Sequence, residues 1–293
     1  MIVGNVYLNY NQEELDEQYN NRQRYPEFSK TFEDWEKWSA ETKKNLPAQF
    51  DVPYGDQLCE TLDIFPAAEA NAPIQVMVHG GYWYSLDKKY NSFVAEGLRP
   101  NGVTTVVINY GLTPEYGMDE IVRQNRAALA WVWRNASSFG GDQNRIYTVG
   151  QSAGGHLVMM IMATDWPVFE YGLPASLVKG GASMSGIYDL EPIRLCYINN
   201  KVGMDADVAY RNSPVHQNYP AALSLMFVSG DIESDEYVRQ AKAMETVWQE
   251  LGYPFKHIKL PGFNHFTMAH QLRERDSAIT RALLSQMGLE GGN

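Results

Sequence analysis

The segment from Arg145 to His156 constrains this chain more than any other part of the sequence. It contains an apolar stretch typical of a strand, followed by Gly150-Gln-Ser-Ala-Gly154 and then by a helical pattern. A side chain at Gly150 or Gly154 would crowd such a tight turn, so the two glycines let the backbone present Ser152 at its tip. A helix that begins at this serine also directs backbone N–H groups towards an anion formed there. The pattern therefore predicts a nucleophilic serine.

A second glycine-rich segment strengthens this prediction. By itself, Gly-x-Ser-x-Gly arises by chance in roughly one chain in ten of this length. His79-Gly-Gly-Tyr-Trp83 follows the apolar run Ile74–Val78, where a serine hydrolase of this architecture places its other oxyanion donors. The two segments together indicate acyl-transfer chemistry.

Composition excludes several classes of partner. The net charge of −11 argues against nucleic acid and anionic membranes, because both require a basic surface. Cys59 and Cys196 form neither a disulfide framework nor a metal-type pair, and no cluster of histidine, aspartate and glutamate has ligand spacing, so no metal is expected. No Gly-x-Gly-x-x-Gly follows a strand, so no nucleotide cofactor is expected either. The first residues do not resemble a signal peptide, which predicts a cytoplasmic protein. The sequence leaves a homodimer open.

Short apolar strands alternate with helical patterns through most of the chain. This alternation predicts an α/β fold with a mostly parallel central sheet and helices on both faces. The predicted strands are Leu58–Phe65 at an edge, Ile74–Val78, Val103–Asn109, Arg145–Val149, Val178–Met184, Leu223–Ser229 and Phe255–Leu260. The predicted helices lie near Lys88–Leu98, Met118–Ala136, Ser152–Thr164, Asp235–Leu251 and His265–Met287.

The domain organisation is predicted to be simple. A length of 293 residues suits one large core, so residues 1–293 are expected to form a single domain. Residues 1–47, which are polar and aromatic, are expected to form amphipathic helices that pack on the body. Residues 189–214 are expected to form a small cap segment over the active-site edge.

Position in the chain separates the candidate bases for Ser152. Ligands of open parallel sheets bind beyond the carboxyl ends of the strands, so the base should follow a strand directly. His265 meets this condition through the short loop that begins at Pro261, and it follows the serine in the expected order. His156 and His257 are better interpreted as packed histidines, because one lies inside a helix and the other inside a strand.

The acid that orients the base should follow the penultimate strand. Two carboxylates are candidates there, Asp231 directly after the strand and Glu233 where the loop has turned. Spacing favours Glu233, and the sequence leaves Asp231 as the alternative.

Several motifs together resemble the kynurenine formamidase (arylformamidase) branch of the α/β-hydrolase superfamily. The resemblance covers nearly the whole chain, from about Tyr19 to the end. Its motifs are Asp51-Val-Pro-Tyr-Gly55, His79-Gly-Gly-Tyr-Trp83, Leu86-Asp-Lys88, Asn109-Tyr-Gly-Leu-Thr-Pro-Glu115, Gln151-Ser-Ala-Gly-Gly-His-Leu157, Ser185-Gly-Ile-Tyr-Asp-Leu-Glu-Pro192 and Glu233-Ser-Asp-Glu-Tyr-Val-Arg-Gln240.

The resemblance implies the α/β-hydrolase fold and an arylformamidase that acts in tryptophan catabolism on N-formylkynurenine-like aryl formamides. It implies a triad of Ser152, His265 and Glu233, although relatives often carry aspartate at the acid position. The implied oxyanion donors are the backbone N–H groups of Gly81, Tyr82 and Ala153. Many relatives have histidine immediately before the nucleophile, where this chain has glutamine.

Aromatic side chains near the serine are candidates for substrate binding. Tyr82, Trp83 and Tyr84 are placed to wall in a small acyl group, although core packing explains Trp83 and Tyr84 equally well. Tyr188 follows a strand and is predicted to face the site. The candidate cations for a substrate carboxylate are Arg194, Lys201 and Arg211, for which a solvated surface role is the better interpretation.

Two other functions stay open at this stage. A general short-chain carboxylesterase of the same fold would show the same elbow, oxyanion loop and histidine. A non-catalytic hydrolase fold that binds a ligand is the remote alternative, because such proteins usually lose a member of the triad, and none is missing here.

Overall fold

The computed structural model describes residues 4–220 and 223–289. The predicted segment 1–47 and domain 1–293 therefore include residues that lie outside the described ranges. The strands are β1 (Gln49–Pro53), β2 (Thr61–Phe65), β3 (Ala72–Val78), β4 (Thr104–Ile108), β5 (Gly141–Gln151), β6 (Val178–Met184), β7 (Ser224–Ile232) and β8 (Phe255–Asn264).

Helices pack on both faces of the sheet that these strands form. They are α1 (Gln12–Tyr19), α2 (Asn21–Arg24), α3 (Phe28–Asn45), α4 (Val94–Leu98), α5 (Met118–Asn135), α6 (Ala153–Met162), α7 (Trp166–Phe169), α8 (Glu191–Leu195), α9 (Asn199–Val202), α10 (Ala206–Arg211), α11 (Asp235–Glu250) and α12 (Ala278–Gln286). None of the helices in the described ranges is long and apolar enough to cross a membrane.

The strands form a mixed sheet in the order β1-β2-β4-β3-β5-β6-β7-β8. Strand β2 pairs antiparallel with both β1 and β4, and all the other pairings, from β4 across to β8, are parallel. Parallel strands need crossover helices that cover both faces, which explains why β3 and β4 are buried at every residue. The predicted α/β-hydrolase fold is confirmed.

The core divides between the two faces of the sheet. In β3, the side chains of Ile74, Val76 and Val78 belong to the cluster that also contains α5 and α6. The intervening Met77 belongs to the cluster on the other face, with α4 and α12. This alternation follows from the two-residue repeat of a strand.

The prediction of an edge strand over Leu58–Phe65 is wrong in two respects, because the strand begins three residues later and does not lie at an edge of the sheet. Strand β2 begins at Thr61 and pairs on both sides, with β1 and with β4. The true edge strand, β1, is mostly exposed, so it lacks the apolar pattern that marks a strand in the sequence. Leu58 is 98% exposed and precedes the strand.

The single helix predicted over His265–Met287 is also wrong. The chain forms a 3-10 turn over Thr267–Leu272, and α12 begins only at Ala278. Ser277 ends the irregular stretch because its hydroxyl accepts the backbone N–H of Thr280 at 3.0 Å, as an N-cap does. Likewise, the predicted helix Lys88–Leu98 is a 3-10 turn followed by the short α4.

The N-terminal helices dock on the body through buried polar contacts. The Tyr19 hydroxyl donates to Glu236 on α11 at 2.8 Å. At the far end of α3, Lys43 pairs with the fully buried Asp63 of β2 at 2.6 Å. Charged groups this deep are stable only when paired, so both contacts fix where the segment sits.

Helix α6 passes through the middle of the core, and all of its residues are buried. Its His156 is held at both ring nitrogens: Nδ1 accepts from the indole N–H of Trp83 at 3.2 Å, and Nε2 lies 2.7 Å from the carbonyl of Asn212. Because an indole only donates, the imidazole proton resides on Nε2. Burial lowers the pKa of His156 to about 4, so the ring is neutral at pH 7 and packs as predicted.

This buried ring predicts a pH-dependent stability. The unfolded chain takes up the imidazole proton near pH 6.5, whereas the native state resists it until about pH 4. Protons therefore favour unfolding in this window, and His156 alone should lower the free energy of unfolding by about 3 kcal/mol as the pH falls through it. Urea unfolding of the wild type and of His156→Gln across the window measures this contribution, since glutamine does not titrate. Parallel pH profiles for the two proteins would contradict the prediction.

Candidate active site

The turn between β5 and α6 holds Ser152 in a strained conformation. Its φ is +59°, in the left-handed region that non-glycine residues rarely adopt. A Cβ atom at Gly150 would lie 2.3 Å from the carbonyl oxygen of Gly154, and one at Gly154 would lie 2.2 Å from that of Val78. Both positions therefore require glycine, and the serine is forced to the tip of the bend.

The loop after β3 is held rigidly beside this turn. The His79 ring stacks on Tyr110 with 4.1 Å between ring centroids, and the Tyr110 hydroxyl donates to the His79 carbonyl at 2.8 Å. Burial lowers the pKa of His79 to about 4, so the ring packs in its neutral form. Gly81 has a φ of +106°, and a Cβ atom there would lie 2.0 Å from the Ser85 carbonyl oxygen. Only glycine fits this bend.

The predicted oxyanion donors come from these two segments. No acceptor in residues 4–220 or 223–289 takes the backbone N–H of Gly81, Tyr82 or Ala153. The loop and the turn are in close contact, since a Cβ atom at Gly80 would lie 2.6 Å from the Gln151 carbonyl oxygen. Unpaired N–H groups beside a nucleophile are the arrangement that stabilises a developing oxyanion.

His265 follows the end of β8 in a loop that its own residues organise. The Asn264 side-chain oxygen accepts the backbone N–H groups of Phe266 and Thr267, at 2.9 and 3.0 Å. This turn ends the strand, and His265 as a whole residue is only 2% exposed. The side-chain amide of Gln151 also donates to the His265 carbonyl. The residue before the nucleophile thus holds the loop of the base.

Ser152 and His265 line the same cavity, without a hydrogen bond between their side chains. The Tyr237 ring lies 4.5 Å from the imidazole, measured between centroids. Its hydroxyl lies 2.8 Å from that of Tyr82 and accepts from Asn21 at 3.1 Å. Burial raises the pKa of Tyr237, while the hydroxyls of Tyr82 and Ser152 lower it. The phenol therefore stays protonated beside the serine.

Glu233 faces the far side of the imidazole. Its Oε2 lies 3.8 Å from Nδ1 of His265, and both side chains are 3% exposed. Its Oε1 accepts from the Ser185 hydroxyl and from the Gly230 N–H, the latter at 3.3 Å. The 3.8 Å contact is an ion-pair distance and longer than a hydrogen bond. Catalytic hydrogen bonds commonly tighten in the complex with substrate.

Asp231, the alternative acid, points elsewhere. It is exposed, and its carboxylate accepts the backbone N–H of Gly262 at 2.8 Å. That contact joins the end of β7 to the loop of the base. The structure therefore brings Glu233, and not Asp231, against His265.

Two residues predicted to bind substrate lie in the core instead of the cavity wall. Trp83 is fully buried, and its indole N–H donates a hydrogen bond to His156. Tyr188 is 1% exposed, and its hydroxyl lies 2.8 Å from that of Ser183. Large rings with a paired polar tip are stable in a core. Tyr82, in contrast, does line the cavity.

The three candidate cations of the cap segment (residues 189–214) do not line the cavity. Arg194 pairs with Glu191 and Arg211 pairs with Asp119, each at 2.6 Å. Lys201 is exposed at the surface. The surface interpretation of these three residues agrees with the structure.

The cavity wall contains residues that the sequence did not identify. The cavity has a volume of about 50 Å³, and six of its sixteen lining residues are phenylalanine, tyrosine or tryptophan. The N-terminal segment contributes Asn21, Arg22, Phe32 and Trp35, and the cap segment (residues 189–214) contributes Tyr197. The density of aromatic residues in the N-terminal helices was the available signal, but no local pattern shows which surface of the body such helices cover.

A second serine lies against a histidine elsewhere in the molecule. The Ser229 hydroxyl is 2.8 Å from Nε2 of His257, whose Nδ1 contacts Glu245. However, Ser229 lies inside β7 and is paired with Lys259 of the edge strand β8. A residue within a ladder has no sharp turn to present it, so this contact lacks the other parts of a hydrolase site. His257 is half-buried at the sheet edge, which corrects its interpretation as a core residue.

Known proteins resemble this chain in sequence and in structure. The BD-FAE family model matches residues 62–175. The chain is 31% identical over 247 residues to the kynurenine formamidase of Danio rerio and 34% identical over 248 residues to that of Salmo salar, with 81% of each chain covered in both cases. A solved structure of a proposed thioesterase from Silicibacter sp. tm1040 superposes with a TM-score of 0.82 at 25% identity, covering 91% of this chain and 97% of the other.

The two carboxylates make a matched test of the site. Replacing Glu233 by alanine should lower kcat by about 100- to 10,000-fold, because the imidazole loses the charge that orients it. Asp231→Ala should keep kcat within about threefold, since that side chain contacts only backbone. Steady-state kinetics on an activated aryl ester measure both. A larger loss for Asp231→Ala would overturn the assignment of the acid.

Proposed function

This chain belongs to the kynurenine formamidase family, and from that membership we propose that it hydrolyses aryl formamides such as N-formylkynurenine through Ser152, His265 and Glu233. Its relatives and structural neighbours make it a serine hydrolase of amide or ester bonds. The observation that carries the finer proposal is the joint placement of the three side chains: a serine on a strained turn, a histidine on the same cavity and a carboxylate behind that histidine.

The first half of the reaction forms an acyl-enzyme. The Ser152 oxygen attacks the formyl carbon while His265 takes the hydroxyl proton, and Glu233 stabilises the imidazolium that results. The oxyanion then accepts hydrogen bonds from the N–H groups of Gly81, Tyr82 and Ala153. Loss of one such donor costs about 3 kcal/mol in comparable sites.

The second half releases the two products. The imidazolium of His265 gives its proton to the departing aryl amine, which leaves a formyl ester on Ser152. Water then attacks this ester, with His265 again acting as the base, and formate departs as the serine regains its proton.

The shape of the site supports a small acyl group. The cavity has a volume of about 50 Å³, several times the space that one water molecule needs. The Tyr237 hydroxyl, fixed by Tyr82 and Asn21, lies beside the serine and reduces the space available for the acyl group. A formyl group, which has no carbon beyond its carbonyl, requires the least room.

The nucleophile has a matched control within the same chain. Ser152→Ala should abolish hydrolysis and covalent labelling by a fluorophosphonate, because both reactions require the alcohol that the variant lacks. Ser229→Ala should retain activity and labelling, although Ser229 also contacts a histidine. Mass spectrometry of the labelled protein locates the modified residue. A label on Ser229, or full activity in Ser152→Ala, would remove the proposed nucleophile.

Substrate choice separates a formamidase from a short-chain carboxylesterase. We expect kcat/KM for N-formylkynurenine to exceed that for the corresponding N-acetyl compound by at least about tenfold, because the extra methyl group crowds the narrow site. Equal values for the two amides, together with rapid hydrolysis of p-nitrophenyl acetate and butyrate, would favour the carboxylesterase.

A further inference from the structure

The cavity wall contains buried polar atoms that no protein group satisfies. The indole N–H of Trp35 and the side-chain amide nitrogen of Asn91 are both buried and lack a hydrogen-bond partner among the described residues. The two residues are 3% and 5% exposed, respectively, and both line the cavity that contains Ser152. Unsatisfied buried donors are rare in native proteins, and a ligand that accepts hydrogen bonds explains them.

The same wall carries a positive charge. Arg22 lines the cavity at its exposed mouth, and none of the described residues that line it is an aspartate or glutamate. The guanidinium lies 5.4 Å from the centroid of the Phe28 ring, and none of the ion pairs among the described residues includes it. Burial raises the pKa of Tyr84 across the cavity, whereas the charge of Arg22 lowers it. In a chain of net charge −11, an unpaired cation at this mouth requires a reason.

Aromatic contacts link the three donors along the wall of the cavity. The Phe32 ring lies 5.2 Å from Trp35 and 5.7 Å from Phe28, the ring beneath Arg22, and 6.5 Å from Tyr90, which precedes Asn91. On its other side, Phe32 lies 5.4 Å from Phe266, the residue after the catalytic histidine. Through Phe32 and Phe266, this part of the wall is connected to the loop that carries His265.

We propose that Arg22, Trp35 and Asn91 form a subsite for a carboxylate on the leaving-group side of the substrate. The proposal rests on the function proposed above and deepens it, because it selects aryl formamides that carry an acidic side chain over neutral ones. A guanidinium, an indole N–H and an amide NH₂ are all donors, and a carboxylate offers about four acceptor positions to them. The N-terminal helices α2 and α3 supply two of the three groups.

The test compares two substrates that differ only at the acidic group. N-formylkynurenine is assayed beside its carboxamide, which keeps the ring, the formamide and the amino group. Wild-type enzyme should show a lower KM for the acid. Arg22→Gln should reduce this preference by about 10- to 100-fold, through KM and with little change in kcat, because the lost contact binds ground state and transition state alike.

Further variants separate charge from structure. Arg22→Lys should restore part of the preference, and Trp35→Phe, which removes only the N–H, should lower it by a smaller factor. Arg24→Gln is the matched control on the same helix, since Arg24 does not line the cavity, and it should behave as wild type. Added salt should narrow the wild-type preference, because the mouth is exposed to solvent.

The outcomes distinguish this proposal from the one on which it rests. A wild type that hydrolyses p-nitrophenyl acetate but neither formamide would remove the formamidase proposal. The subsite is then judged by inhibition of ester hydrolysis, where kynurenine should bind more tightly than its carboxamide and lose that advantage in Arg22→Gln. If Arg22→Gln keeps the wild-type preference for the acid over the carboxamide in either assay, the proposed subsite is overturned.

Discussion

The close approach of three backbone segments is the constraint on which the site depends. The end of β3, the loop after it and the turn before α6 touch through glycines, where an added Cβ atom would lie between 2.2 and 2.6 Å from a carbonyl oxygen. Contacts this short exclude any side chain, so Gly80, Gly150 and Gly154 cannot vary without moving the serine. The packed helix α6 and the stacked rings of His79 and Tyr110 hold the segments in place. The strain at Ser152 persists because its surroundings are so fully determined.

The proposed base, His265, and the proposed acid, Glu233, come from the other half of the sheet. Strands β7 and β8 are neighbours, and a Cβ atom at Gly230 would lie 2.1 Å from the Phe263 carbonyl oxygen. The two loops that follow these strands therefore start in contact, which sets the distance between Glu233 and His265. Gln151 then joins the loop of the base to the nucleophile turn by its side-chain amide. Two separate parts of the chain are thus held in register by one hydrogen bond at the residue before the serine.

The sequence predicted those parts of the site that depend on local pattern. A strand followed by Gly-x-Ser-x-Gly and a later strand followed by a histidine loop are both visible in a few residues, and each was placed correctly in the fold. The turn at Gly230 was enough to favour Glu233 over Asp231, and the structure orients these two carboxylates accordingly. Trp83, Tyr188 and the edge strand β1 were misjudged or missed because their positions depend on neighbours that are distant in sequence. Burial of a ring, or exposure of a strand, is decided by tertiary packing and leaves little local signal.

Four of the sixteen residues that line the cavity belong to helices that lie more than a hundred residues before Ser152. Arg22, Phe32 and Trp35 belong to α2 and α3, and α3 is attached to the body by the ion pair between Lys43 and Asp63 and by the burial of Trp35 in the core. None of these three residues belongs to the strained turn, although all of them line the same cavity as Ser152. The proposed carboxylate subsite and the proposed triad therefore draw on different stretches of the sequence, so substitutions can alter one without altering the residues of the other.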